Sequence, residues 1–131
     1  MNLNFKKVRD YLLELDYHIS LEEESSNILV VQDEASGIKN LVIGVADPIL
    51  ILEQFIVEIP EGSHKAYQLL LQKNRDIIHG AFVLDETGKK VIFRNTLELE
   101  NLDLNELEAS FNSLSLLLSE YLDDLIKFSK K

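Results

Sequence analysis

Three histidines are the first residues to ask about chemistry: His18, His64 and His79. No two of them stand at the local spacing of a helical metal pair, and a general base needs a partner within hydrogen-bond reach that nothing nearby supplies. His18 falls on the expected wet side of a strand and His64 in the first turn of a helix. His79, which precedes Gly80, is the one histidine whose setting invites inspection, and a structural hydrogen bond is its favoured role. The acidic run Glu22-Glu23-Glu24 lacks the spaced oxygens and glycine turn of a calcium loop, so it reads as a solvated loop. Asp85-Glu86-Thr87-Gly88 resembles such a loop superficially, but a hairpin turn explains it better. With no cysteine in the chain, disulfides, thiolate metal sites and cysteine nucleophiles are absent. The glycines are scattered singly, forming neither phosphate-binding signature nor nucleophile elbow. No catalytic, cofactor or metal residue is therefore nominated, and an enzyme is not expected.

Composition sets the partner class. Acidic residues outnumber basic ones 23 to 13, for a formal charge of −10. Nucleic-acid binding needs cations to displace counterions from phosphates, and no basic cluster or basic-aromatic interleaving appears. An anionic membrane surface would repel the chain as well. The charge suits basic or apolar protein partners, or serves only to keep the chain soluble. No stretch approaches the roughly 20 apolar residues of a membrane span. Met1-Asn2-Leu3-Asn4-Phe5-Lys6-Lys7 enters an amphipathic segment without a cleavage signal, so a cytoplasmic location is the default.

The elements that would position any site are readable from periodicity. Phe5, Val8, Leu12 and Leu15 share one stripe of a helix over about 4–15. Tyr17, Ile19 and Leu21 alternate with polar residues as a half-buried strand. Ile28-Leu29-Val30-Val31 and Leu41 to Ala46 are further strands, with turn-rich residues between them and Asp47-Pro48 after. Ile49 to Ile59 is apolar on both faces in its first half, where an antiparallel strand with one wet face should alternate. Ser63 is placed to cap a helix from His64 to about Asn74. A hairpin then runs from Ile78 to Leu99 around Gly88. In the last helix Asp103 and Glu106 form a capping box. Its apolar stripe is Leu104, Leu107, Phe111, Leu114, Leu118, Tyr121, Leu125 and Phe128, and Lys127, Lys130 and Lys131 suit its C-terminal dipole. Those 131 residues fit a single α+β domain, 1–131, with an antiparallel sheet and helices on one face in the order α-β-β-β(-β)-α-β-β-α.

Leu69-Leu70-Leu71-Gln72-Lys73-Asn74 leading to Gly80-Ala81-Phe82-Val83-Leu84-Asp85-Glu86-Thr87-Gly88 carries a resemblance. The pattern continues through Val91-Ile92-Phe93-Arg94-Asn95-Thr96-Leu97 and Leu102-Asp103-Leu104-Asn105-Glu106-Leu107. It resembles the YbjN family and the class I type III secretion chaperones of the Tir-chaperone type, well over about 63–128 and by element order before that. These are fold-forming residues, so they imply architecture more directly than activity. What the resemblance implies is a small acidic protein, commonly a homodimer, that holds an extended partner segment against apolar patches. Its YbjN side implies the alternative of a regulatory or sensory domain binding a small ligand between the last helix and the sheet. Both chaperoning and dimer formation need apolar surface beyond the monomer's core. The candidates are Leu50, Leu52, Phe55 and Ile56 of the two-sided strand, with Tyr67 and Leu71 of the middle helix; the alternative for the strand is burial beneath the domain's own helices and loops.

Overall fold

The structure is a computed structural model that describes residues 2–129; Lys130 and Lys131, expected at the end of the last helix, lie outside the described residues. Helix α1 spans Leu3–Glu14. Strands β1 (His18–Glu23), β2 (Ile28–Asp33), β3 (Ile38–Ala46) and β4 (Ile49–Glu58) follow. Helix α2 (His64–Asn74), strands β5 (Ala81–Leu84) and β6 (Lys90–Glu98), and helix α3 (Leu104–Ser129) complete the chain. The strands form one six-stranded sheet in the order β1-β2-β3-β4-β6-β5, every neighbouring pair antiparallel. The α+β architecture and element order are those expected from the sequence.

Local chemistry starts and stops these elements. The Asn2 side chain accepts from the backbone N–H groups of Asn4 and Phe5, capping α1. At α3 the capping box is complete: Asp103 Oδ1 accepts from Glu106 N at 2.8 Å and Glu106 Oε1 from Asp103 N at 3.2 Å. Ser63 stands before α2, but its hydroxyl makes no cap bond. The entry to α2 is held instead by Tyr67, whose hydroxyl accepts from Gly62 N and donates to the Gly88 carbonyl. The β1–β2 and β2–β3 connections are the same device used twice. Each is a single 3-10 turn, Glu24–Ser26 or Glu34–Ser36, closed by a residue with left-handed backbone, Asn27 or Gly37. In each, the turn's serine donates to the acidic side chain three residues earlier, Ser26 to Glu23 and Ser36 to Asp33.

All three helices feed one buried cluster on one side of the sheet. Phe5, Val8 and Leu12 come from α1, Ala66 and Leu70 from α2, and Leu107, Phe111, Leu114, Leu117 and Leu125 from α3. The strands contribute Leu29, Val31, Ile38, Leu41, Ile43, Val45, Leu50, Leu52, Phe82, Val91 and Phe93. Two buried polar side chains are both satisfied. Gln54 accepts from Lys39 N and donates to the Gly37 carbonyl, and Ser110 accepts from Asn95 Nδ2 at 2.7 Å. Buried polar groups cost little only when paired in this way.

Two β-bulges decide which side chains leave the core. The register shifts between Ile19 and Leu21, so Leu21 pairs with Val30 on the outer face while Ile19 pairs with Val31 on the inner one. Leu21, expected beside Ile19 on a buried face, is accordingly exposed. A second shift falls between Phe55 and Val57. Before it Ile49, Ile51 and Phe55 point outward; after it Val57 opposes buried Val91. One extra residue inverts side-chain parity after Phe55; the two-sided first half precedes it and divides by plain alternation, Leu50 and Leu52 in the core and Ile49 and Ile51 outside.

Candidate functional site

The outer face of the sheet carries apolar strand residues that face away from the helix-covered core among the described residues. Because directly opposed residues of antiparallel strands share a face, the register defines its rows. One row crosses all six strands: Leu21, Val30, Val42, Glu53, Arg94 and Ala81. Beside it run Glu23, Ile28, Gly44, Ile51 and Thr96. On the opposite flank Phe55, Ile92 and Val83 stand in line. Leu21, Val42 and Phe55 are exposed, and the others that are apolar are half-buried by their neighbours. The face carries one ion pair, Arg94 Nη1 to Glu53 Oε2, with both side chains partly exposed.

The two edges of this sheet differ. At the β5 edge Asn74 donates to the Phe82 carbonyl at 3.0 Å and accepts from Phe82 N at 2.7 Å. Its amide thus occupies the outward-facing donor and acceptor of the strand's buried phenylalanine, as a neighbouring strand would. β1 has β2 as its one neighbour in the sheet and carries Glu22 and Glu23, with Glu24 just beyond it. Arg9 pairs with Glu22 at 3.1 Å.

The residues expected at a partner or dimer surface separate into three groups. Leu50 and Leu52 are 0% and 1% exposed. They belong to the chain's own core, since β4 turns its even-numbered side chains inward before the bulge, and this corrects their placement. Ile56 sits at the bulge and packs against the core, as does Tyr67, whose hydroxyl is committed to Gly62 and Gly88. Phe55 and Leu71 are free, 54% and 72% exposed, the first on the sheet and the second on α2. Sequence reading missed the outer positions Ile51, Val42, Leu21 and Val30. Alternation places Ile51 opposite Leu52, but which of the two faces outward depends on the side the helices take, and alternation does not report that.

The motif residues behind the family resemblance have structural jobs. Gly80 has φ +90°, and a Cβ there would lie 2.5 Å from Phe93 Cζ, so the position excludes a side chain. Asp85 Oδ1 accepts from Thr87 Oγ1 and Lys90 N, which holds its carboxyl below the ordinary range, with Thr87 the largest influence. Asp47 is likewise lowered by hydrogen bonds from Asn2 and Asn4. Burial, with the Asp33 and Glu108 charges, raises the Tyr17 phenol, whose ring stacks on Phe111 at 4.3 Å. His18 and His64 are exposed on β1 and α2. His79 contributes its backbone carbonyl, which accepts from Ser113 Oγ at 2.8 Å. Among the described residues no three His, Cys, Asp or Glu side chains gather in a metal-ligating group, and no helix is long and apolar enough to cross a membrane.

Comparison with known proteins defines the class. The CesT_Tir_1 family profile matches residues 1–131. The chain belongs to that family. Its fold is similar to that of YbjN from E. coli, at 14% identity over 92% of each chain with a TM-score of 0.71. It is similar to the type III secretion chaperone SycH of Yersinia pestis, solved in complex with a stable fragment of YscM2, at 16% identity, 96% and 99% coverage and TM-score 0.57. The ExsC–ExsE complex supplies a further similar chain, at 22% identity, 95% and 96% coverage and TM-score 0.55. No curated protein sequence matches.

Proposed function

We propose that this chain is a non-catalytic, chaperone-like protein-binding module that holds an extended segment of another polypeptide against the outer face of its sheet, working as a cytoplasmic homodimer. The observation that carries this reading is the row of outward apolar side chains from Leu21 on the edge strand through Val30 and Val42, flanked by Ile51 and Phe55. An extended segment presents alternate side chains to one side, so a partner strand lying across this face sets its own apolar residues against that row. Closure of the β5 edge by Asn74 favours β1 as the side of approach. The similarity to SycH, solved with a YscM2 fragment, supports a polypeptide partner. Leu71, exposed on α2, is the contact proposed between two copies.

Purification of the tagged protein from its native host, alongside an Ile51→Ser/Phe55→Ser double variant and a Leu13→Ser control, tests the reading. The partner is expected to stay with wild type and control and to be lost from the double variant. Retention by all three would remove the outer face from consideration. Size-exclusion chromatography with light scattering reads the second part: a dimer that dissociates on dilution is expected, and a strict monomer across micromolar concentrations would eliminate the homodimer.

A further inference from the structure

A cleft of about 310 Å³ lies away from the sheet's outer face, between α3 and the segment joining α2 to β5. Its walls are apolar: Ile77 and Ile78 on one side, Leu116 and Leu117 on the other. Ile78 is 88% exposed and Leu116 60%, so two large apolar side chains that the core does not use face solvent at the same cleft. Ser113 Oγ, donating to the His79 carbonyl at 2.8 Å, pins the segment to α3, so the cleft is a built feature. Its polar lining includes two carboxylates, Asp76 and Glu120, and among the described residues neither forms an ion pair. Lys73 is near one end, its Nζ 4.6 Å from the centroid of the Tyr121 ring, Arg75 precedes Asp76 in the chain, and His79 is part of the lining. Hydrogen bonding to Glu120 raises the Tyr121 phenol, and the Asp76 charge acts in the same direction. The lining of this apolar cleft thus holds two carboxylates and neither Lys nor Arg, on a chain of net charge −10.

We infer that this cleft receives an apolar side chain of a partner polypeptide whose neighbouring residues are Lys or Arg. The inference rests on the protein-binding reading above and specifies the partner's sequence chemistry. A large apolar anchor seated in a desolvated pocket supplies the affinity, while cations beside it meet Asp76 and Glu120 and select against acidic sequences. A second copy of this chain fits poorly, because it brings the same excess of negative charge to the same mouth.

Titration of the isotopically labelled protein with two capped pentapeptides tests it by NMR: Gly-Lys-Phe-Arg-Gly and its acidic twin Gly-Glu-Phe-Glu-Gly. The cationic peptide is expected to move the amide signals of Ile78, Ser113, Leu116 and Leu117 and to bind at least about fivefold tighter than the twin. An Asp76→Asn/Glu120→Gln variant should erase that preference, and Phe55→Ser should leave it intact. Equal binding of the two peptides, or binding of neither, overturns the inference. Shifts confined to the outer face of the sheet would overturn the cleft while sparing the broader protein-binding reading. Saturation of the cleft by benzyltrimethylammonium, tighter than by the peptide, would make it a small-ligand site instead.

Discussion

Ile51 and Leu52 are neighbours in β4 with side chains of nearly equal size, yet they occupy opposite faces of the sheet. Leu52 lies under the helices, in contact with the buried cluster, and Ile51 stands in a row that no described element covers. Glu53 and Gln54 repeat the contrast in polar form: Gln54 is buried with its amide fully bonded, while Glu53 meets Arg94 at the surface. Core residues hold a fold by excluding water, whereas the outer residues leave an apolar surface that a second chain can cover. Both faces are written in the same Ile, Leu and Val alphabet, so composition alone does not separate them.

The largest expected effect comes from breaking the inner face. Leu52→Ala should cost about 2–5 kcal/mol by chemical denaturation, through lost burial and a residual cavity. Phe55→Ser should remain within about 0.5 kcal/mol of wild type while losing partner binding. A large stability loss at position 55 would mean that the chain itself covers the outer face. Next in size, Gln54→Leu fills similar volume but leaves Gly37 O and Lys39 N without partners. A loss of about 1–3 kcal/mol is expected, and a neutral result would mean that other groups satisfy both. At the outer position, Glu53→Gln should cost no more than about 1 kcal/mol, less still at high salt, because the pair with Arg94 is partly solvated.

The smallest effect concerns acid. Asp47 and Asp85 have carboxyls lowered by hydrogen bonds in the folded chain. A lowered folded value means that their stabilisation is complete above the ordinary carboxylate range and is lost as pH falls through the lowered value. Asp47→Asn should therefore flatten part of the acid side of a melting-temperature profile and leave neutral pH almost unchanged. An unaltered acid limb would show that the bonds to Asn2 and Asn4 do not persist in solution.

Much of this architecture was legible in the sequence. The stripe Phe5, Val8 and Leu12 marks α1, the box Asp103-Glu106 starts α3, and Gly88 marks the last hairpin, because each signal is local and has its own physical cause. The sheet's two faces were not legible to the same degree. The bulges at Ser20 and Ile56 invert parity without any compositional sign, so Leu21 moved outward and Val57 came to oppose buried Val91. Leu50 and Leu52 were candidates for the surface as well as the core, because alternation gives two faces without saying which one the helices take. The cleft beside α3 depends on how a six-residue connection settles against a helix, and periodicity does not report that.

The central claim, that the outer face of the sheet meets another polypeptide, is tested most directly by site-specific photo-crosslinking in native host cells. A benzophenone side chain placed at position 55, or at 42, is compared with one at the exposed apolar position 13 on α1. The account predicts a discrete protein adduct from positions 55 and 42 and none from 13. Adducts from position 13 alone, or none from the sheet positions under conditions where the protein is folded and abundant, would contradict it.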